Sequence, residues 1–576
     1  MKFLGKIKSI FKEVVNEHRY SFGAFMLSMI LWAITAGDNP TGDVLYSIFD
    51  FLKTIEWLLF SVSFGLLLCE SIHLYKKDTD SSYDPKSKKV LGLRIVIIAT
   101  TFLSALQFRI LDEYIPESFF KVGYEDVILD LSRNILFFVG IAVIGLTIYF
   151  FYKRSGECSE TYVAKAFCGF MKAELVYGII ALGVLLIIWA FDTLIFDTFF
   201  MDLTLRVEIL LLGLVEFPCA VVGLSKTEGE ISKFGRIVLS YIFTGIIAAA
   251  FVIIYVYIIK IFVTWTFPSN EVFPILTALF VCGLFAWTMA FGCCDEGIKR
   301  AISILPFLFI PFIILQIMCL HMRVRDYGLT SSRYFGIVVI VFEIIYFVIY
   351  TLRFIRKKDY IYTLIFIVIA GAFIVLFMPG INVYSAVTMS QKGKIIAYLE
   401  QGSNTSDAIK KDAHEAYKVL DREGGFSGRL FIDNKLSKDQ MSDLTNNDNH
   451  DDAERTYINV YNDMNSIDVT GYKRLSIVET DLSDWAGITD IDNIPIYLRD
   501  DESEPVDYVD FCDIIDTLKE YEKKNVAQTE KEKVIQKKIT TKNGKTLVLT
   551  KVNIFGFTEN GEMDIRSFEI RGYLLE

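Results

Sequence analysis

The chain has 576 residues, of which 53% are hydrophobic, with a mean hydropathy of +0.41 and a net charge of −11. This is too apolar for an ordinary soluble protein, which averages about 45–50% apolar residues even with glycine counted. The apolar residues gather before position 380, where the net charge is +1, whereas residues 381–576 carry net −12. Such a distribution argues against a string of soluble domains and predicts a near-neutral membrane block followed by an acidic soluble domain.

Residues 1–19 place Phe3, Ile7, Ile10, Phe11, Val14 and Val15 at helical spacing with lysines between them, the pattern of an amphipathic segment lying on the inner leaflet. A cleaved signal peptide with Ile34 and Ala36 before the cut is the competing reading, and the long charged segment ahead of the apolar run weighs against it. A helix rises about 1.5 Å per residue, so about 20 apolar residues cross the hydrocarbon core. About eleven such runs follow, at residues 20–36, 51–74, 90–111, 134–152, 167–191, 203–224, 237–263, 272–291, 302–322, 334–352 and 360–378. The sixth is interrupted by Arg206, Glu208, Glu216 and Pro218. The predicted fold is mainly α, a polytopic α-helical membrane bundle over residues 20–380 followed by a C-terminal extracytoplasmic α+β domain over residues 381–576.

Lysine and arginine accumulate on the cytoplasmic side of a membrane, and here they occupy every second loop. The N-terminal tail, the loop with Lys86, Lys88 and Lys89, and those with Lys153 and Arg154, Lys226 and Lys233, Lys299 and Arg300, and Arg353 to Lys358 are basic. The alternate loops carry Asp38, Asp43 and Asp50, then Asp112, Glu113, Glu117, Glu125 and Asp126, then Asp192, Asp197 and Asp202. Trp32, Trp57, Trp189 and Trp265 fall near the outer ends of their runs, at headgroup depth. An odd number of spans with the N-terminus inside predicts an extracytoplasmic C-terminal domain in a bacterial cell (inner or cytoplasmic) membrane.

Ionisable residues inside apolar spans are costly unless paired or wetted, so they are the first functional candidates. Glu56, Arg206, Glu208, Glu216 and Glu343 form the candidate polar intramembrane site. Arg206 is expected to neutralise Glu208 or Glu216, which lie eight residues apart on one side of a helix, and Glu343 is expected to meet an arginine or line a wet cavity. Lys172, Glu174 and Lys260 sit near helix ends and are expected to snorkel. Pro306 and Pro311 predict a kinked ninth helix converging on the next loop, where Arg323, Arg325 and Arg333 break the charge alternation in HMRVRDYGLTSSRYF. Arg323, Arg325, Asp326 and Arg333 are the candidate anion or headgroup contact, with Gly328 permitting a sharp turn. The bland alternative is that Arg325 pairs with Asp326 while the other arginines touch lipid phosphates.

Nine cysteines and five histidines show no CxxC or HExxH spacing, so no metal and no cofactor is expected. In the C-terminal region, residues 391–420 read as helix broken at Gly402-Ser403-Asn404, and the Asp- and Asn-rich stretch 433–465 reads as a solvated loop rather than an EF-hand. Residues 546–557 and 563–574 around Asn560-Gly561 predict a β-hairpin, residues 472–478 and 494–498 further strands, and residues 509–524 an amphipathic helix.

The stretch Arg323 to Arg333, with Asp326-Tyr327-Gly328-Leu329-Thr330 after a proline-broken apolar helix, resembles the signature of the bacterial domain-of-unknown-function 4153 family. Thr264-Trp265 before an outer turn and Asp468-Val469-Thr470-Gly471-Tyr472 agree with it, while Phe342 stands where that family often has a tryptophan. The resemblance implies a bacterial multi-pass membrane protein and brings no activity, so no catalytic residue is carried over.

No nucleotide-binding or hydrolase motif occurs in its supporting context. The leading expectation is transport or permease-like handling of a small charged solute or lipid. An envelope sensor or assembly scaffold binding a ligand or protein partner through the outer domain is the alternative, and a membrane-embedded transferase on lipid-linked substrates is the third, with Asp38, Asp43, Asp112 and Glu113 as its candidate carboxylates. The expected partners are the lipid bilayer, a lipid headgroup or small solute, and envelope proteins; the acidic outer surface argues against nucleic acid.

Overall fold

The computed structural model describes residues 12, 15–37, 43–114, 124–195, 200–227, 230–264, 272–401, 406–445, 454–461, 469–483, 491–498, 505–523, 528–559 and 562–576. The chain forms two compact units, Met1–Ser437 and Lys438–Glu576. The charge shift at 380 therefore does not coincide with the structural division, because the helices that follow it pack back onto the apolar segments before it and belong to the first unit.

Among the described residues, the first unit contains eleven apolar helical segments. They are α1 (Arg19–Thr35), α2 (Asp43–Thr79), α3 (Lys88–Arg109), α4 (Glu125–Ser155), α5 (Ser159–Ile195), α6 (Phe200–Leu211 continuing to Phe217–Ser225), α7 (Lys233–Ile237 continuing through Thr244–Thr264), α8 (Val272–Cys293), α9 (Glu296–Ile304 continuing through Ile310–Tyr327), α10 (Ser331–Arg356) and α11 (Thr363–Phe377). Among the described residues, nine helices are long and apolar enough to cross a membrane, α2 to α10, while α1 and α11 are shorter, with 17 and 15 residues. Their outward-facing side chains are apolar: Leu175, Ile179 and Ile187 on α5 and Ile253, Val256 and Ile259 on α7 are all exposed. In water such a surface would aggregate; in lipid it is the solvated face.

Small residues set the closest approaches. A Cβ on Gly169 of α5 would lie 2.4 Å from the carbonyl oxygen of Gly223 on α6, so the two backbones touch where only glycine fits. The proline pair in α9 produces a 3₁₀ turn at Leu305–Phe309, since Pro306 and Pro311 cannot donate to the α-helical ladder. From Pro311 to Arg323 is about 18 Å of helix, so the irregularity lies at the far end of α9 from the arginine loop and the expected convergence of the two does not occur.

Three helices follow α11: α12 (Val383–Gln401), α13 (Asp407–Glu423) and α14 (Gly425–Lys435). The break between α12 and α13 matches the Gly402-Ser403-Asn404 signal, and residues 402–405 lie outside the described set. These helices pack directly on the apolar segments of the same unit: Tyr384 accepts a hydrogen bond from Asn134 of α4 (2.6 Å), and Tyr124 packs edge-on against Phe426.

The second unit begins with α15 (Lys438–Thr445) and contains β1 (Glu454–Tyr461), β2 (Leu475–Ser483), β3 (Ile494–Ile496), β4 (Asp507–Val509), α16 (Cys512–Lys523), α17 (Gln528–Ile535), β5 (Ile539–Thr540), β6 (Thr546–Glu559) and β7 (Glu562–Leu575). An antiparallel sheet runs in the order β1-β6-β7-β2, with β5 beside β6, and β3 and β4 form a separate ribbon. The long β6–β7 hairpin is the one the sequence predicts, and its Asn560-Gly561 tip lies outside the described residues. Inward-facing Val552, Ile554, Phe568 and Ile570 pack against Phe511, Ile515, Leu518 and Ile535, which explains the amphipathic periodicity of residues 509–524. Buried Asp507 accepts from the Thr541 hydroxyl (2.7 Å) and the Asn543 amide (3.2 Å), tying the turn before β6 to β4. Of the Asp- and Asn-rich stretch, residues 446–453 and 462–465 are not described, and 454–461 form β1 rather than a loop.

Candidate functional site

The five intramembrane candidates separate into three places. The first is the end of α1, whose last carbonyls have no intrahelical donor. Arg206 of α6 donates to the carbonyl oxygens of Ala33 (3.2 Å) and Ile34 (3.3 Å), so its positive charge meets the negative end of the α1 dipole. Thr35 donates to Glu56 of α2 (3.0 Å), and Ser28 donates to the Glu56 carbonyl (2.9 Å). Arg206 therefore caps a helix instead of neutralising Glu208 or Glu216.

The second place is the face of α6 toward α5. A π-helical turn at Leu212–Glu216 inserts one residue, so the eight steps from Glu208 to Glu216 rotate about as far as seven normally do and leave the two within about 20° of one face. Tyr177 of α5 is 3.5 Å from Glu208, a long hydrogen bond, and neither Glu208 nor Glu216 has a cationic partner among the described residues.

The third place is the interior between α8, α9 and α10, where Glu343 is fully buried. Among the described residues, no arginine pairs with it. Its partner is Gln316 of α9, whose Nε2 donates to Glu343 Oε1 at 3.3 Å and also lies 3.5 Å from the Thr277 hydroxyl of α8. Glu343 Oε2 and Gln316 Oε1 are both buried without a hydrogen-bond partner. Two acceptors and no second donor is a deficit of one hydrogen, since a carboxylate and an amide oxygen cannot satisfy each other.

Glu343 begins a polar stripe on α10. Tyr346, Tyr350 and Arg353 follow at spacings of three, four and three, which puts all four on one face over about 15 Å. Trp287 of α8 donates its indole N–H to the Tyr346 hydroxyl (2.6 Å), Tyr350 donates to the Ser303 carbonyl (3.0 Å), and Arg353 pairs with Glu160 of α5 while lying 4.0 Å above the Phe291 ring. The polar atoms are paired at every step below Glu343.

The arginine loop has a different role from the one its composition predicts. Gly328 adopts φ 81°, and a Cβ there would lie 2.8 Å from Gln391 Nε2, so glycine is required on two counts. Gln391 donates to the Leu329 carbonyl (2.9 Å), the Leu329 amide donates to Ser390 (2.9 Å), and the Ser331 amide donates to Glu423 (2.6 Å). Arg333 is turned inward: it donates to the Gly328 carbonyl (2.7 Å) and lies over the Tyr327 ring at 5.3 Å. The motif is thus a clasp that holds α12 and α13 against the start of α10. Arg323 and Arg325 take no part in it, and the Asp326 side chain lies outside the described residues.

Sequence reasoning passed over Gln316, a single amide in an apolar run, and Glu70, which sits in the second run. Glu70 accepts from the Ser21 hydroxyl (2.6 Å) and the Tyr20 amide (2.8 Å) and lies 3.6 Å from buried His18. Nearby, Arg154 pairs with Glu17 (2.9 Å) and Asp78 (2.8 Å), and Lys226 with Glu17 (3.1 Å). Burial pushes the Glu17 carboxyl up, but the bonds and charges of Arg154 and Lys226 outweigh it and hold the group below its ordinary value.

Among the described residues, no three His, Cys, Asp or Glu side chains gather as a metal site, and all nine cysteines are free. The transferase candidates Asp38 and the side chains of Asp43 and Glu113 lie outside the described residues, as does Trp265. Against known proteins the chain matches no family model, no curated sequence and no solved structure.

Proposed function

We propose that this chain is a multi-pass protein of the bacterial cytoplasmic membrane, of the domain-of-unknown-function 4153 type, that couples a proton carried at Glu343 to transport or permease-like handling of a small charged solute or lipid. The observation that carries the reading is the missing hydrogen between Glu343 and Gln316. A proton on Glu343 Oε2 supplies the donor that this pair lacks, and its loss would leave a buried charge with no cation beside it, so the two protonation states favour different packings of α9 against α10. That is the form a proton-driven switch takes.

The proposed orientation, N-terminus cytoplasmic and C-terminal unit extracytoplasmic, draws support from how helix ends meet. Glu17, Asp78, Arg154 and Lys226, all assigned inward by the alternation of basic loops, join one another. Asp50 and Arg109, both assigned outward, pair at 2.6 Å.

The test is infrared difference spectroscopy on the full-length protein in lipid, across a pH titration. The expected result is a protonated-carboxyl C=O band that is lost in Glu343→Gln and shifted in Gln316→Leu, with Glu343→Gln also abolishing proton uptake into dye-loaded proteoliposomes. A band and an uptake unchanged by Glu343→Gln would sink the reading.

A second reading, a sensor or assembly scaffold, is favoured by the clasp. Gln391, Ser390 and Glu423 fasten α12 and α13 to the loop that starts α10, so a partner bound by these helices would pull on the helix that carries Glu343. In that case Gln391→Ala uncouples the response while leaving the infrared band in place.

A further inference from the structure

We infer that the pocket where α5 and α9 begin and α10 ends is a binding site for a phosphate-bearing anion. The pocket has a volume of about 440 Å³ and is lined by Lys299, Arg300, Arg353, Phe354, Lys357 and Lys358. It does not depend on the protonation of Glu343, and it lies at the opposite end of α10 from the arginine loop.

The balance of charge is the first reason. Three carboxylates also line the pocket, and each is already engaged. Glu160 is bound to Arg353, and Glu296 lies 3.3 Å from Lys299. Asp359 accepts from the Ser159 amide (2.7 Å), the Ser159 hydroxyl (2.6 Å) and the Tyr152 hydroxyl (2.9 Å), closing the first turn of α5. Arg300, Lys357 and Lys358 remain, exposed and with no anionic partner among the described residues. Three cations lining one concave site form an anion receptor, and a phosphate offers enough oxygens to meet all of them.

Backbone conformation is the second. Lys357 has φ 54° and is the one non-glycine with positive φ among the described residues. Its amide closes α10 on the Arg353 carbonyl (2.8 Å), a position normally filled by glycine or asparagine. Lys357 and Lys358, at and just past this turn, both line the pocket.

The walls are the third. Phe354 is 48% exposed, and the Phe291 ring, covered on one face by the Arg353 guanidinium, also lines the pocket. An apolar wall beside a cationic mouth suits a phosphate joined to a glycerol or other carbon skeleton, and the volume is that of a small-molecule site, about 300–1,000 Å³. Membrane phospholipid and soluble phosphate share this chemistry.

The experiment uses the full chain in phosphatidylcholine nanodiscs, reading the thermal unfolding midpoint against two probes: inorganic phosphate, and phosphatidylglycerol titrated into the disc. Arg300→Gln/Lys357→Gln/Lys358→Gln is compared with Lys86→Gln/Lys88→Gln/Lys89→Gln, which removes the same charge from another basic loop. Each headgroup-facing cation is worth about fivefold, so the first triple variant should lose roughly a hundredfold in affinity and the other should bind like the wild type. Stabilisation by inorganic phosphate assigns a soluble ligand, and stabilisation by phosphatidylglycerol alone assigns a lipid headgroup; both support the site. Binding of neither probe, or equal loss in the two triple variants, overturns it. If the triple variant does not fold, Arg300→Gln alone, with an expected fivefold loss, takes its place.

Discussion

The two ends of α10 carry similar cations and use them in opposite ways. At its start, Arg333 turns back onto the Gly328 carbonyl and the Tyr327 ring, and its charge serves to hold a loop in shape. At its end, Arg353 is likewise engaged with Glu160, but Lys357, Lys358 and the neighbouring Arg300 face open space. In sequence the arginine loop stands out, because it violates the alternation of loop charge, while the cations at the other end fit that alternation and pass for an ordinary basic loop. What separates them is which acceptors lie within reach: Arg333 finds the Gly328 carbonyl five residues back, whereas Arg353 depends on Glu160 of α5, far away in the chain, and that carboxylate serves Arg353 alone among these cations.

The largest expected effect comes from breaking the clasp itself. Gly328→Val forces a β-branched residue into φ 81° and drives its Cβ into Gln391, at a combined cost of about 3 kcal/mol or more. Limited proteolysis of the full chain should then cut within residues 382–437 at least tenfold faster, consistent with roughly 1.4 kcal/mol per tenfold change in opening. Equal cleavage rates would mean that α12 and α13 are held by other contacts.

Next in size is a pair of variants that separates the two ends. Arg333→Ala removes a charged hydrogen bond and a cation–π contact, so stability should fall by about 1.5–3 kcal/mol, while retention of an anionic probe is unchanged. Arg300→Gln should do the reverse, with stability within about 0.5 kcal/mol of the wild type. Thermal unfolding in nanodiscs, with and without phosphatidylglycerol, reads both. If Arg333→Ala weakened anion binding instead, the loop would be the headgroup site and the contrast between the two ends would collapse.

This contrast also marks how far the sequence can be read. Run length and apolarity reveal the apolar helices of the described residues, nine of them long enough to span, because a segment that must bury its backbone in lipid has to be helical wherever it sits. The β6–β7 hairpin and the periodic face of α16 are visible for the same reason: each is a local pattern. Partners are not local. Arg206 reads as a counter-ion for Glu208, yet the end of α1 lies closer and offers two carbonyl oxygens. Glu343 is legible as a buried carboxyl, but not its partner, since Gln316 is an unremarkable amide until α9 is laid against α10. Gly328 is legible as a turn, whereas the helix that the turn receives lies about sixty residues later.

A smaller effect tests whether ion pairs on the Arg353 side of the bundle stabilise the fold as the clasp does on the other. Glu17, held by Arg154 and Lys226, has its carboxyl below the ordinary value of 4.5. Its contribution is therefore complete above that value and is lost as pH falls through the lower, folded one. The group is partly exposed, so the loss should stay below about 1 kcal/mol. Unfolding midpoints of the wild type and Glu17→Gln should differ at neutral pH and converge below the ordinary glutamate value; a constant difference would mean that Glu17 acts through packing.

The smallest effect is the most specific to the contrast. Lys357 occupies a left-handed position at the end of α10, where an L-residue with a Cβ is disfavoured by about 1–2 kcal/mol relative to its preferred conformations and glycine is not. Glycine loses more chain entropy on folding, so Lys357→Gly should raise stability by no more than about 1 kcal/mol. The same substitution removes one of three cations from the pocket and should weaken anion retention about fivefold. A gain in stability joined to a loss in binding is the signature of a residue kept for its charge despite its backbone. The two changes must appear together: a more stable variant that binds phosphate or phosphatidylglycerol as before would show that Lys357 closes a helix and does nothing else, leaving Arg300 and Lys358 too few to make a site.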